Sequence, residues 1–169
     1  MNDAIEAIGQ ELVEAIRRVL DENGVAVSSV SRCEASESWL HPIAVIGFGG
    51  DMVRGSVSLG VPWRVLQASH PSKSGSLEDL VDWISELSNL VLGSLKTRLR
   101  AHGVLIQLGL PSTFTTSASE MSATGTPELQ YRLRALNVSI RVRFSAQVGA
   151  AFAMLPPRET AVVDGIQIF

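Results

Sequence analysis

SLEDLVDWISELSNLVLGSLKTRLR, residues 76 to 100, is the stretch that decides the fold of this chain. Leu77, Leu80, Val81, Ile84, Leu87, Val91, Leu95 and Leu99 recur at steps of three and four, the spacing that brings side chains onto one face of an α-helix. Ser76 predicts the helix start, because its hydroxyl can accept a free backbone N–H. Glu78 and Asp79 suit the positive end of the helix dipole. Lys96, Arg98 and Arg100 stand near the other end, where cations are favoured, and Gly103 predicts the stop.

Opposite the apolar face the same winding aligns Asp82, Glu86, Asn89, Gly93 and Lys96. Glu86 and Asn89 are three apart and therefore neighbours on the helix surface. Gly93 stands where alanine would favour the helix by about 1 kcal/mol. A glycine there weakens the helix and lets another backbone come close. Carboxylate, amide and gap in one line describe a docking surface that carries a small amount of chemistry. An ordinary solvated face accounts for the same residue types.

The flanking sequence adds the rest. ELSNLVLG (86–93) is followed by a helix end at LRAHG and by a strand leading to LGLPSTF. It is preceded by VIGFGGDMVRGSVSL, a strand–glycine–strand element. Together these resemble the CheX/CheC/FliY family of chemotaxis phosphatases, most closely the single-site CheX type, over roughly residues 4 to 155. Ser85 and Ser88 replace glycines common in that family; both are small, so they are expected to leave the helix face accessible.

The resemblance implies an activity: removal of phosphate from the aspartyl phosphate of a CheY-like response-regulator receiver. It makes Asn89 the group that orients the attacking water and Glu86 the group that grips the receiver's lysine. Asp82, Gly93 and Lys96 are partner contacts. It implies no cofactor of the chain's own, with Mg²⁺ brought by the receiver, and a homodimer. Only one helix carries the acid–amide pair, since the first offers Glu6-x-x-Gly9, Glu11-x-x-Glu14 and Glu14-x-x-Arg17, so one site per chain is expected. A non-enzymatic module that docks a receiver or a flagellar partner is the alternative, because fold alone does not fix function.

Composition bounds the possibilities. The 169 residues suffice for one domain with a proper core, here expected at about 4–155 with a C-terminal extension over 156–169. A net charge of −3 provides no basic field for nucleic acid. Cys33 stands alone, which excludes an internal disulfide and fits a reducing compartment. His41, His70 and His102 share no metal-ligand spacing with it. Neither a signal peptide nor a run approaching 18 apolar residues is visible, so a cytoplasmic protein off the membrane is expected.

The remaining segments predict an α+β fold, long helices on one mainly antiparallel sheet in a two-layer sandwich. A first helix is expected over 2–21, capped by Asn2 or Asp3. Strands are expected over Val25–Val30, Trp39–Phe48 and Met52–Leu59, and a short helix over Val61–Ala68 behind Pro62. Gly49-Gly50-Asp51 lacks the lysine and hydroxyl of a phosphate loop and reads as a hairpin turn using positive φ. Val104–Leu110 reads as a strand, residues 112–127 as a loop with one edge strand, and Tyr131–Phe144 as a strand region bent near Leu136-Asn137. Arg132, Arg134, Arg141 and Arg143 fall on one face, read as a solvated surface in preference to an anion strip. Ala150–Leu155 is expected to close the sheet.

Overall fold

The apolar periods of the two long helices require a common surface to cover, and an antiparallel sheet supplies it. The structure is a computed structural model that describes residues 3–33, 42–73, 75–115, 126–150 and 152–156. In chain order the elements are α1 (Asp3–Glu22), β1 (Ser29–Arg32), β2 (Ile43–Gly49), β3 (Val53–Gly60), α2 (Trp63–Ser69) and α3 (Leu77–Ala101). There follow β4 (Gln107–Leu108), β5 (Ser112–Phe114), β6 (Glu128–Ala135) and β7 (Val138–Val148). The sheet runs β1-β6-β7-β3-β2-β4, with β5 also paired to β2, and every pairing is antiparallel. It is the α+β two-layer sandwich that the periodicities predict.

Strand alternation separates the two faces of the sheet. Leu129, Tyr131, Leu133 and Ala135 of β6 and Ile140, Val142, Phe144 and Ala146 of β7 are buried beneath the helices. Ile5, Ile8, Leu12, Ala15, Ile16, Val19 and Leu20 of α1 meet them, joined by Val13. α1 lies over β6 and β7, while α3 lies over β2, β4 and β5. Gly9 lets α1 sit close to β6: a Cβ there would run into the Tyr131 hydroxyl and lie 2.7 Å from a Leu129 methyl, so those side-chain ends would have to shift. Burial, followed by the charge of Glu6, pushes the Tyr131 phenol up from its ordinary value.

Several segments depart from the sequence expectations. Val25 is buried in the core, but the strand begins only at Ser29. The β2–β3 hairpin forms as predicted, yet Gly49 and Gly50 do not take positive φ. Gly50 is required instead by close approach, since a Cβ would strike the Leu105 carbonyl oxygen. Of Val104–Leu110 only Gln107 and Leu108 pair as strand, although Val104 and Ile106 are buried.

The supposed bend at Leu136-Asn137 is a full reversal. Both residues take positive φ (52° and 63°) in a two-residue turn between the paired Ala135 and Val138. Residues 152–156 do not close the sheet; they leave it after β7 and fold back on the end of α3. There the Leu155 N–H donates to the His102 carbonyl (3.2 Å).

The arginine-bearing face is less open than alternation predicts. Arg134 is exposed, but Arg143 is mostly covered, lies 3.2 Å from Glu128, and stands in register between the buried Gln130 and Ser58. The expected cap at Asn2, the start of the Trp39–Phe48 strand and residues from 157 onward lie outside the described residues.

Candidate functional site

α3 owes its position to its start, its stop and its inner face. Ser76 and Asp79 form a reciprocal capping box: the Asp79 N–H donates to the Ser76 hydroxyl (3.2 Å) and the Ser76 N–H to the Asp79 carboxylate (2.8 Å). The Ser76 N–H first, and then the Ser76 hydroxyl, which donates to the same carboxylate oxygen (2.9 Å), hold the Asp79 carboxyl below its ordinary value. At the far end Gly103 takes φ +78° while the Val104 N–H reaches the Leu99 carbonyl (2.9 Å), which closes the last turn.

Between these ends Leu80, Ile84, Leu87, Val91, Leu95 and Leu99 are buried as predicted, but Leu77 is 65% exposed and Val81 is only half-buried. Trp83, Ser88 and Leu92 fill the inner face in addition. The Trp83 indole donates to the buried Ser69 hydroxyl (2.9 Å) at the end of α2.

Packing on that side turns the opposite stripe outward. Asp82, Glu86, Asn89 and Lys96 are all exposed and Gly93 is half-buried. Three residues of helix place Glu86 and Asn89 about 60° apart around the axis and about 4.5 Å apart along it, so their side chains leave the surface together. Among the described residues the side chains of Asp82, Glu86, Asn89 and Lys96 form no hydrogen bond or ion pair, and a Cβ built on Gly93 meets nothing within 4 Å. The stripe is thus free of internal partners and unobstructed.

The two serines at family glycine positions do not act alike. Ser85 is half-buried and its hydroxyl lies 2.6 Å from that of Thr113, which links α3 to β5. Ser88 faces the core, where its hydroxyl donates to the Ile84 carbonyl (2.7 Å). Ser88 therefore has no bearing on access to the outer face.

Sequence reasoning missed the second wall of the site. α1 runs antiparallel to α3, with Glu11 meeting Arg98 (2.5 Å) and His102 (3.5 Å) near the end of α3. Farther along, the two helices flank a groove of about 390 Å³ lined by Arg18, Val19, Glu22 and Asn23 on one side and by Asn89, Leu90, Gly93, Ser94, Thr97 and Arg98 on the other. Leu90, an apolar lining residue outside the core stripe, is 40% exposed. Asp82 and Lys96 do not line the groove. Among the described residues no group of three or more His, Cys, Asp or Glu is placed to hold a metal ion, and no helix is long and apolar enough to cross a membrane.

Comparison with known proteins places this geometry in a family. The chain is similar in structure to a chemotaxis protein CheX from Desulfovibrio desulfuricans (TM-score 0.72, 18% identity, covering 83% of this chain and 99% of that one). It is also similar to the CheX–CheY–BeF₃–Mg²⁺ complex of Borrelia burgdorferi (0.64, 16%, 82% and 96%) and to the FliM middle domain of H. pylori (0.57, 9%, 88% and 93%). No curated protein matches the chain in sequence. The family model described as chemotaxis phosphatase CheX matches residues 42–133, more than half of the chain and the whole of α3. By that match the chain belongs to the CheX family of chemotaxis phosphatases.

Proposed function

We propose that this chain is a protein-aspartyl-phosphate phosphatase acting on a CheY-like receiver, with Glu86 and Asn89 as the residues it inserts into the receiver's site. The single observation that carries this reading is the outward, unobstructed juxtaposition of those two side chains on a helix held in place by its buried face. Membership of the CheX family supports it, as does likeness to a CheX solved together with CheY.

The chemistry asked of the chain is small. An acyl phosphate already has a good leaving group, and the receiver's own Mg²⁺, lysine and hydroxyl hold the phosphoryl oxygens. What is missing is a water held in line with the P–O bond. The Asn89 carboxamide offers an acceptor and two donors and remains neutral, so it can orient that water while the phosphoryl charge stays undisturbed. Water attacks phosphorus, the bond to the aspartyl oxygen breaks, and the products are the receiver's free carboxylate and inorganic phosphate. Glu86 pairs with the receiver's lysine and sets the angle of approach. Asp82, Gly93 and Lys96 border the contact. Each chain carries one site, and a homodimer would carry two; sedimentation of the purified protein reads that state.

A non-enzymatic docking role is the second reading, favoured by the likeness to the FliM middle domain. Phosphate release from a phosphorylated receiver, followed with and without this protein, separates them. Faster release supports the phosphatase; binding without faster release supports the docking module.

A further inference from the structure

We infer that the groove between α1 and α3 is a second docking element for the same receiver, and that it seats an extended loop bearing an acidic side chain against Arg18. The inference rests on the phosphatase reading for the identity of its occupant. Asn89 lines the groove, so a receiver docked on Asn89 must overlie its mouth. Gly93 keeps the space open, since a Cβ there would meet nothing within 4 Å among the described residues. The Ser94 hydroxyl borders the groove, buried and without a hydrogen-bond partner among the described residues. The wall is therefore incomplete in polar terms as well as in volume.

Charge selects the occupant. Glu86, on the outer stripe, calls for a cation. Arg18, on the opposite side of the groove, is 64% exposed, and among the described residues its ion-pair partner is Glu22 (2.8 Å), itself 57% exposed and lining the same groove, a solvated pair weak enough to exchange for a partner's carboxylate. Arg98, the other arginine of the groove, is already held by Glu11 (2.5 Å). A partner with a lysine toward Glu86 and an acidic loop toward Arg18 meets both, and the exposed Leu90 offers an apolar contact between them.

The test uses the full chain and CheY-like receivers from the same genome. Phosphate release is measured on the phosphorylated receiver and binding on the receiver loaded with beryllofluoride and Mg²⁺. Arg18→Glu reverses the rim charge, and Thr97→Tyr fills the groove from an exposed position; thermal melts confirm that both fold. Each should raise the half-saturation concentration and the dissociation constant by about fivefold or more, with turnover at saturation within about twofold of the parent. Unchanged binding in both variants overturns the groove proposal and leaves the phosphatase reading standing if Asn89→Ala still loses turnover. Should the parent bind receivers without hydrolysing them, the phosphatase reading fails while weakened binding by Arg18→Glu still supports the groove. Binding to no receiver overturns both.

Discussion

α1 and α3 are built alike but carry different outer faces. They span 20 and 25 residues, run antiparallel, and each sinks one apolar stripe into the same sheet. Their outer charges part company. On α1, Glu6, Glu11, Glu14 and Glu22 meet Arg32, Arg98, Arg17 and Arg18 respectively. On α3, Asp82, Glu86 and Lys96 have no such partner among the described residues. Those four glutamates of α1 are engaged within the chain, whereas Glu86 has no cation beside it among the described residues. What sets the α3 face apart is an unpartnered carboxylate, an exposed amide one turn on and an open glycine in one line.

The contrast can be broken first where the helices are the same. Ile16→Ala on α1 and Ile84→Ala on α3 should each lower unfolding free energy by about 2–5 kcal/mol, read from urea denaturation, because both side chains are fully buried. Outward substitutions should then separate the helices. Glu86→Ala should raise the half-saturation concentration for a phosphorylated receiver by about five- to tenfold, whereas Glu14→Ala on α1, away from the groove, should leave it unmoved. Equal effects from the two would erase the distinction.

Smaller effects sharpen it. Gly93→Ala should stabilise the fold by up to about 1 kcal/mol in the same denaturation assay, since the added methyl meets nothing. It should also weaken receiver docking, so that stability and affinity move in opposite directions. A loss of stability would show that Gly93 serves the helix itself.

The smallest effect concerns the cap. The folded-state value of Asp79 is depressed, so its contribution is fully present above the unfolded carboxylate value and is lost as pH falls through the folded one. Below about pH 4, α3 should therefore lose stability in the parent more than in Asp79→Asn. Urea midpoints taken from about pH 5 to about pH 2 check the sign.

Much of this was legible in the sequence because helical periodicity is a local property. The buried stripes of α1 and α3, the Ser76 cap, the Gly103 stop and the exposure of Glu86 and Asn89 all follow from spacing and residue type. What was not legible depends on residues far apart in the chain. Leu136-Asn137 carries no glycine, so a tight reversal with two positive φ angles read as a bend. Gly50 is demanded by Leu105, which lies more than fifty residues away in sequence, and no turn rule reveals that contact. The groove was invisible for the same reason: Arg18 and Asn23 join Asn89 and Gly93 only through the antiparallel pairing of two helices.

On the proposed mechanism Asn89 supplies catalysis and little affinity. Phosphate release from a phosphorylated CheY-like receiver, measured with the parent chain and with Asn89→Ala, tests it most directly. The parent should accelerate release, and the variant should leave only the receiver's own rate of hydrolysis while still binding. A variant that hydrolyses as fast as the parent would contradict it.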